Sequence, residues 1–427
     1  MRLRELTVRN YRPFGEQPPF SFSDQFTVIA GINGRGKTAL LDGIALALSR
    51  LLPQISPARG GYRYVELPDI HSGQANGLFS LKLNCAGFPL IYEVEFQEGP
   101  RRLTAMHLPK AIRTEIRNRY GSDPTRSDDA APLAVYYTTD RASYRRPRTL
   151  PRDVARGQAA AYYGALANRT VNYRDFIARF RAYVDLQGEQ QTENRHFMGA
   201  SAAEAIQRTI AVFLEGFSNL RVENNPLRLV VNKDNVSLDL GQLSDGERSF
   251  LAMITDLSRR LVLANPRMQN PLEGEGVVLI DEIELHLHPK WQREAVEKLR
   301  QTFPKIQFIC TTHSPFIIQS LRAGELITLD PDEFPGEYAD RSIEDITEDV
   351  MQVEMPQKSS RYQAMMSAAE EYFRLLRAVE PTNVAELAEA EQRLNELSMP
   401  FSDDPAFQAL LKVERETLSL GGEGATS

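Results

Sequence analysis

A glycine-rich segment near the start of the chain could hold the phosphates of a nucleotide. The segment Gly31–Thr38 follows the apolar run Phe26–Ala30 and precedes a stretch rich in Ala and Leu. Strand, glycine loop and buried helix form the context that a phosphate loop requires. Lys37 should reach the β- and γ-phosphates, and Thr38 should ligate Mg²⁺. The sequence therefore predicts an ATP and Mg²⁺ site whose contacts come from Asn33, Gly34, Arg35, Gly36, Lys37, Thr38 and Ala39.

Two adjacent carboxylates follow a second apolar run, Gly276–Ile280. Asp281 would hold Mg²⁺, while Glu282 would orient and deprotonate the attacking water. An N-cap pair is the alternative, but the phosphate loop upstream favours catalysis. After a third apolar run, His313 could contact the γ-phosphate, although a strand-end histidine is also commonly a packed polar residue. We therefore expect Lys37, Glu282 and His313 to act in hydrolysis.

The segment Leu243–Ser249, with sequence Leu-Ser-Asp-Gly-Glu-Arg-Ser, precedes a long helical pattern. Ser244 and Glu247 have the spacing of a capping box, which any well-formed helix start could carry. A helix N-terminus with Ser and Gly also attracts anions. In the second interpretation, Ser244, Gly246 and Glu247 clamp the γ-phosphate of ATP bound to another copy. ATP would then lie between two subunits, as in a homodimer.

In this order, the motifs resemble those of ABC-type ATPases of the SMC/RecF-like class, over residues 1–110 and 225–330. The segment around Ser244 looks like their signature motif. Ile280–Pro289 looks like their Walker B motif and D-loop, with His288 where SMC proteins carry an Asp. The resemblance implies an α/β fold, in which an ABC-type ATPase head combines a mixed sheet, helices and an antiparallel β subdomain.

The resemblance also implies a division of the chain into four parts. Residues 1–110 would form the N-terminal lobe with Walker A, and 111–225 a mostly helical insertion in place of a coiled coil. Residues 226–335 would carry the signature, Walker B, D-loop and H-loop. Residues 336–427 would form a helical region that docks a partner and ends in a disordered tail.

Two further contacts to the nucleotide are implied by the same resemblance. Val8–Arg12 is similar to the opening strand of these ATPases, where an Arg like Arg12 lies close to the nucleotide. Gln74 is the candidate Q-loop residue for Mg²⁺, and a surface loop is the alternative for this position.

Residues 278–321 and Asp345–Pro356 are similar to the PtuA-like ATPase subunits of Septu-type and retron-associated anti-phage systems. Those ATPases are encoded beside an HNH nuclease, so the resemblance implies a separate nuclease partner. The alternative for the helical tail is a hairpin that packs on its own ATPase body. The apolar residues expected to dock the partner are Tyr362, Met365, Tyr372, Phe373 and Leu376.

Charge is unevenly distributed along the chain. The chain carries a net charge of −7, while residues 340–427 carry 18 acidic and 8 basic side chains, so the remainder is mildly basic. An arginine cluster with aromatic neighbours suits DNA or RNA. Salt bridges to the acidic tail, or an Arg that reaches ATP, are the alternatives. The cluster comprises Arg141, Arg145, Arg146, Arg148 and Arg152, with Tyr136, Tyr137 and Tyr144.

The cysteine count and the apolar runs predict the cellular compartment of the protein. Cys85 and Cys310 are the only cysteines, and no apolar run approaches the length of a membrane span. We therefore expect a cytoplasmic protein without membrane contact.

Three functions are compatible with these motifs. The first is an ATP-hydrolysing sensor and regulatory scaffold of an anti-phage complex that controls a separate HNH nuclease. The second is a RecF-like DNA-repair ATPase that acts on DNA. The third is a nucleotide-binding structural subunit with little turnover, which Glu282 argues against. In each case dimers could stack into higher oligomers through the helical insertion or tail.

Overall fold

The computed structural model divides the chain into two compact units, residues 1–351 and 352–427. Parts of the predicted insertion and the predicted disordered tail lie outside the residues it describes. Those residues are 1–56, 63–85, 87–97, 104–105, 108–120, 131–142, 158–167, 199–224, 227–329, 338, 341–353, 359–376 and 384–399.

The first unit contains both strands and helices, and helices alone form the described part of the second. The strands are β1 Arg2–Tyr11, β2 Phe14–Glu16, β3 Phe20–Ser21, β4 Phe26–Ala30, β5 Asn76–Cys85, β6 Phe88–Gln97, β7 Thr104–Ala105, β8 Leu133–Tyr137, β9 Phe217–Asn224, β10 Leu227–Lys233, β11 Val236–Asp239, β12 Gly276–Ile280, β13 Ile306–Thr311 and β14 Leu326–Thr328. The helices are α1 Lys37–Ile55, α2 Lys110–Tyr120, α3 Ala159–Tyr162, α4 Gly199–Phe213, α5 Asp245–Ala264, α6 Pro289–Thr302, α7 Pro315–Gln319, α8 Ile343–Asp349, α9 Ser360–Leu376 and α10 Val384–Ser398.

A parallel sheet lies at the centre of the first unit, with strand order β14-β4-β13-β12-β8. Strands β4, β8, β12 and β13 are buried along their whole length, as expected for parallel strands covered on both faces. All four pairings are parallel. The loops after β4, β8, β12 and β13 therefore meet at one edge of the sheet, where ligands bind in such folds.

A second sheet is antiparallel, with order β2-β1-β5-β6-β7 and β3 paired to β1. The side chain of Gln307 on β13 joins the two sheets, because it accepts from the N–H and donates to the carbonyl of Leu3, both at 2.7 Å. A third sheet, β11-β10-β9, leads into α5. The predicted α/β class with an antiparallel subdomain is confirmed.

Strand β8 lies within the segment 111–225, which the sequence assigned to a helical insertion. The structure places it in the central sheet, paired with β12. Its residues Leu-Ala-Val-Tyr-Tyr are buried on both faces, which an exposed insertion could not provide. The central sheet therefore takes one strand from this segment, and the division of the chain into four parts stays a prediction.

Helix α1 is the one described helix long and apolar enough to cross a membrane, and 89% of its apolar stretch is buried inside the fold. Its burial against strands of both sheets fits a core helix.

The described part of the second unit is a pair of helices, α9 and α10, packed on each other. Met365 and Phe373, which were expected to face a partner, are buried between these helices with Leu394. Tyr362 and Tyr372 pack against the same cluster, and Leu376 is 36% exposed. The apolar stripe of α9 therefore forms the core of a helical hairpin, because each helix buries its apolar face against the other.

Helix α8 belongs to the first unit, although the sequence assigned it to the docking region. Ile346 and Val350 are buried against Ile318 and against Ala30, the last residue of β4. Helix α8 thus shares a buried cluster with the last residue of the strand that leads into the phosphate loop.

A candidate nucleotide site at the carboxyl edge of the parallel sheet

The phosphate loop has the backbone conformation that its glycines permit. Gly34 and Gly36 have φ angles of +84° and +97°, which side-chain-bearing residues rarely adopt. A Cβ on Gly36 would also lie 2.6 Å from Pro13 and 2.8 Å from Phe14. The segment from Asn33 to Arg35 is exposed. Glycine is therefore required at 36 both by conformation and by the chain packed against it.

The ammonium group of Lys37 lies within the curve of this loop. It donates to the carbonyls of Gly31 at 2.6 Å and Ile32 at 2.9 Å, and the side chain is largely buried. A compact cation held here can reach the phosphates of a nucleotide that enters the loop.

Oxygen atoms suited to Mg²⁺ meet beside the loop. The hydroxyl of Thr38 lies 3.0 and 3.1 Å from the two carboxylate oxygens of Asp281. The described residues contain no group of three or more His, Cys, Asp or Glu able to hold a metal. Mg²⁺ needs no such cage when phosphates and water complete its octahedron. A hydroxyl and a carboxylate therefore fit this ion.

Thr311, at the end of β13, fixes the carboxylate pair that follows β12. Its hydroxyl donates to Asp281 at 2.6 Å and accepts from the N–H of Glu282 at 2.7 Å. The backbone of Glu282 has a φ of +49°, and its side chain is partly exposed. The carboxylate expected to act as general base thus lies one residue beyond the carboxylate expected to bind Mg²⁺, on a strained turn.

Arg141 and two tyrosines of the proposed nucleic-acid cluster do not lie on the surface. Arg141 is 3% exposed, and Tyr136 and Tyr137 are each 4% exposed. The two tyrosines belong to a strand covered on both faces, and Arg141 bonds to the carbonyls of Asp281 and Glu282. Their assignment to a nucleic-acid contact was wrong. The remaining members, Tyr144, Arg145, Arg146, Arg148 and Arg152, lie outside the described residues.

The side chain of His313 is exposed after β13, and a carboxylate fixes its backbone. Glu284 accepts from the N–H of His313 and, at 2.7 Å, from the hydroxyl of Thr312. Sequence reasoning missed Glu284, although it is the third acidic residue of the Asp-Glu-Ile-Glu segment. It ties the turn after β12 to the histidine loop.

The start of α5 carries the capping box that the sequence left as an alternative. Ser244 accepts from the N–H of Glu247 at 3.3 Å, and Glu247 accepts from the N–H of Ser244 at 3.0 Å. Glu247 also accepts from Lys233 at 2.6 Å. Burial raises the pKa of Glu247, but its bonds to Lys233 and Ser244 bring that pKa below its usual range. A capped helix end keeps its positive dipole, so this geometry is compatible with an anion site.

Gly246 places the signature segment directly against the D-loop of the same chain. A Cβ at this position would lie 2.1 Å from the carbonyl oxygen of His286, whose own φ is +61°. His288 begins α6, and its ring nitrogen accepts from the N–H of Lys290. The signature helix and the D-loop therefore form one packed surface.

Arg12 lies beside helix α1, which follows the phosphate loop, and His71 links Arg12 to the turn that carries Gln74. The guanidinium of Arg12 donates to Asp42 at 2.5 Å and Asp69 at 2.9 Å, and Asp42 is one helical turn after Thr38. Gln74 is exposed in a turn that His71 holds to the carbonyl of Arg12. Their roles toward nucleotide and Mg²⁺ stay predictions.

Two family models match the chain. The family described as "AAA domain, putative AbiEii toxin, Type IV TA system" matches residues 93–319. A second, described as "AAA domain", matches residues 5–141.

Individual proteins are similar as well. "Retron Ec83 probable ATPase" from Escherichia coli is 27% identical over 75% of this chain and 70% of its own length. "Septu protein PtuA" from Bacillus mycoides (strain KBAB4) is 48% identical over 21% of this chain and 12% of its own length. The solved structure of "the SmcHead bound to the C-winged helix domain of ScpA" aligns with a TM-score of 0.48 and 15% identity, over 77% of this chain and 94% of that one. The sequence similarities confirm the resemblance inferred from the motifs.

Proposed function

Since this chain belongs to the family described as "AAA domain, putative AbiEii toxin, Type IV TA system", we propose that it binds Mg²⁺–ATP and hydrolyses it. The observation that carries the proposal is the meeting of Thr38 and Asp281 at 3.0 Å, with Glu282 one residue further. Lys37 would neutralise phosphate charge, and Thr38 and Asp281 would hold Mg²⁺, which would stabilise the negative charge of the phosphates. Glu282 would then orient the attacking water and accept its proton, and His313 would face the γ-phosphate.

We further propose that each ATP lies between two copies of the chain. Ser244 and Gly246 begin a capped helix whose dipole favours an anion, while Gly246 packs on the carbonyl of His286. Within one chain, the phosphate loop contacts Asp281 through Thr38, while the signature segment contacts the D-loop. A second copy would bring its own signature segment to the phosphate loop, and a two-fold symmetric dimer would hold two equivalent sites.

Mixing two inactive variants tests the shared site. Lys37→Ala removes the phosphate contact, and Ser244→Arg places a bulky side chain on the signature segment, where it blocks contact with the ATP of the other copy. A dimer with one copy of each keeps one intact site, so the mixture should recover up to about a quarter of wild-type hydrolysis by random pairing. A mixture as inactive as its two components would contradict the shared site.

A second capping serine supplies the matched control for Ser244→Arg. Ser342 caps α8 through the same capping box, with Asp345 as its partner. Ser342→Arg therefore loses a cap of about 1 kcal/mol without touching the signature segment. It should hydrolyse ATP and dimerise in ATP like the wild type, as measured by light scattering. Equal loss in both variants would assign the effect to the cap.

The biological role we propose is the ATPase subunit of an anti-phage complex that controls a separate nuclease, of the HNH type. Similarity to "Retron Ec83 probable ATPase" and "Septu protein PtuA" supports it. Plaque assays with the native operon should show protection by the wild type and its loss in Lys37→Ala and Glu282→Gln. Undiminished protection by both variants would show that protection does not depend on ATP, and would favour another function.

A further inference from the structure

Arg141 reaches the hydrolytic turn from a different part of the chain. It lies in a short 3₁₀ helix, Thr139–Ala142, directly after β8. Its guanidinium donates to the backbone carbonyls of Asp281 and Glu282, and to that of Thr138 at 3.1 Å. A planar fork of donors holds two carbonyls in one rigid geometry, whereas the three donors of an ammonium group rotate about a flexible stem.

The turn that Arg141 holds has an unfavourable backbone conformation. Glu282 has a φ of +49°, which costs free energy for a residue with a side chain and persists only where the surroundings impose it. Thr311 holds the N–H of Glu282, and Arg141 holds the Asp281 carbonyl of the same peptide unit together with the carbonyl of Glu282. The direction of the Glu282 side chain therefore depends on these two partners.

Arg141 also lies in a position that is energetically unfavourable for a cation. It is 3% exposed, and its bonds go to carbonyl oxygens. Burial lowers the pKa of Arg141 to about 10, although Asp281 and Glu284 oppose that shift. The guanidinium thus stays charged at neutral pH, and a buried charge needs its hydrogen bonds to offset lost hydration. An aliphatic residue would fill the volume but leave the carbonyls unpaired.

We propose that Arg141 is a positioning residue for hydrolysis, which fixes Glu282 against the attacking water by holding the Asp281–Glu282 turn. The inference rests on the proposed ATPase function. Arg141 would act through the backbone of these two residues and would not touch ATP. Its loss should therefore change the rate of hydrolysis more than the binding of nucleotide.

Kinetics of Arg141→Met and Arg141→Lys test this role. Arg141→Met should lower kcat by about 10²-fold, because a misplacement near 1 Å in an active site has such effects. KM for ATP should stay within about threefold, since the phosphate loop is untouched. Arg141→Lys should fall between wild type and Met. A raised KM with unchanged kcat would overturn the proposal.

Arg300 provides the matched control, because it is equally buried and also bonds through both ends of its fork. The guanidinium of Arg300 donates to the two carboxylate oxygens of Glu325, at 2.8 and 3.0 Å. It makes no hydrogen bond to the turn after β12 among those the structure describes. Arg300→Met should destabilise the fold and leave kcat per folded molecule within about twofold of wild type. If Arg300→Met lowers kcat as much as Arg141→Met does, the effect is general destabilisation and the proposal fails.

Hydrogen–deuterium exchange separates failure of this inference from failure of the ATPase function. In full-length protein without nucleotide, the amides of residues 281–285 should exchange at least about tenfold faster in Arg141→Met than in Arg300→Met, because local opening controls exchange. Unchanged exchange overturns the positioning role. Faster exchange supports it even if the wild type proves unable to hydrolyse ATP, a result that would overturn only the proposed function.

Discussion

At the residue scale, one hydroxyl joins the carboxylate proposed to bind Mg²⁺ to the turn that carries the proposed general base. Thr311 donates to Asp281 and accepts from Glu282 N–H. Thr311→Val keeps the shape but leaves the N–H of Glu282 unpaired and takes one of two donors from Asp281, which keeps Thr38. We expect a loss of about 1–3 kcal/mol in the free energy of unfolding, measured in urea, because unpaired buried polar groups carry that penalty. ATP hydrolysis should fall as well.

Thr209→Val is the control for this change, since Thr209 is equally buried and accepts from Ser258 while donating to the carbonyl of Ala205. It should lose stability but keep the hydrolysis rate of the folded protein. Thr311→Ser should restore both stability and rate. If Thr311→Val hydrolyses ATP at the wild-type rate, the hydroxyl plays no part in arranging the site.

Residues of the site differ in how visible they are in the sequence. Lys37, Thr38 and Asp281 stand in local patterns whose chemistry follows from type and spacing, and the structure brings Thr38 and Asp281 into contact. Glu284 and Arg141 act through backbone groups that lie 29 and 140 residues away. Such bonds arise only when strands become neighbours in the sheet, so spacing along the chain could not predict them.

At the scale of elements, the signature helix and the D-loop are in direct contact. A Cβ on Gly246 would lie 2.1 Å from a backbone oxygen of His286, which cannot rotate away as a side chain could. Gly246→Ala should therefore push the two elements apart at a cost of about 1–3 kcal/mol, typical of overpacking. Dimerisation in ATP, measured by light scattering, should weaken more than ATP binding by the monomer.

Gly15→Ala is a suitable control, because a Cβ there would meet nothing within 4 Å. It should bind ATP and dimerise like the wild type. Wild-type dimerisation by Gly246→Ala would show that the contact between signature helix and D-loop is not needed for assembly.

The strand order and several strands were not predicted from the sequence. The buried runs of β4, β12 and β13 were predicted singly, but their order, with β13 between the other two, depends on long-range pairing. Strand β9 was missed because Asn219 has a φ of +52° and the register shifts opposite it, between Val230 and Asn232. This irregularity breaks the alternation that predicts a strand.

At the scale of the whole molecule, the chain contains a head of residues 1–351 and a second unit of residues 352–427. If the second unit docks the nuclease, truncation after Met351 should abolish co-purification of the partner encoded in the same operon. ATP hydrolysis should stay within about twofold of wild type, because each unit has a hydrophobic core of its own. Retained co-purification would place the docking surface on the head.

The stability of a truncated head depends on whether the truncation keeps helix α8. Helix α8 buries Ile346 and Val350 against Ala30, at the end of the strand that leads into the phosphate loop. Truncation after Glu344 removes both, and losing one large buried aliphatic side chain already costs about 2–5 kcal/mol. We expect this shorter head to unfold at lower urea and to bind ATP more weakly than the head ending at Met351. Equal stability of the two truncations would mean that α8 does not support the phosphate-loop strand. A loss of nuclease binding seen only with the shorter chain would then report a docking site on α8 itself.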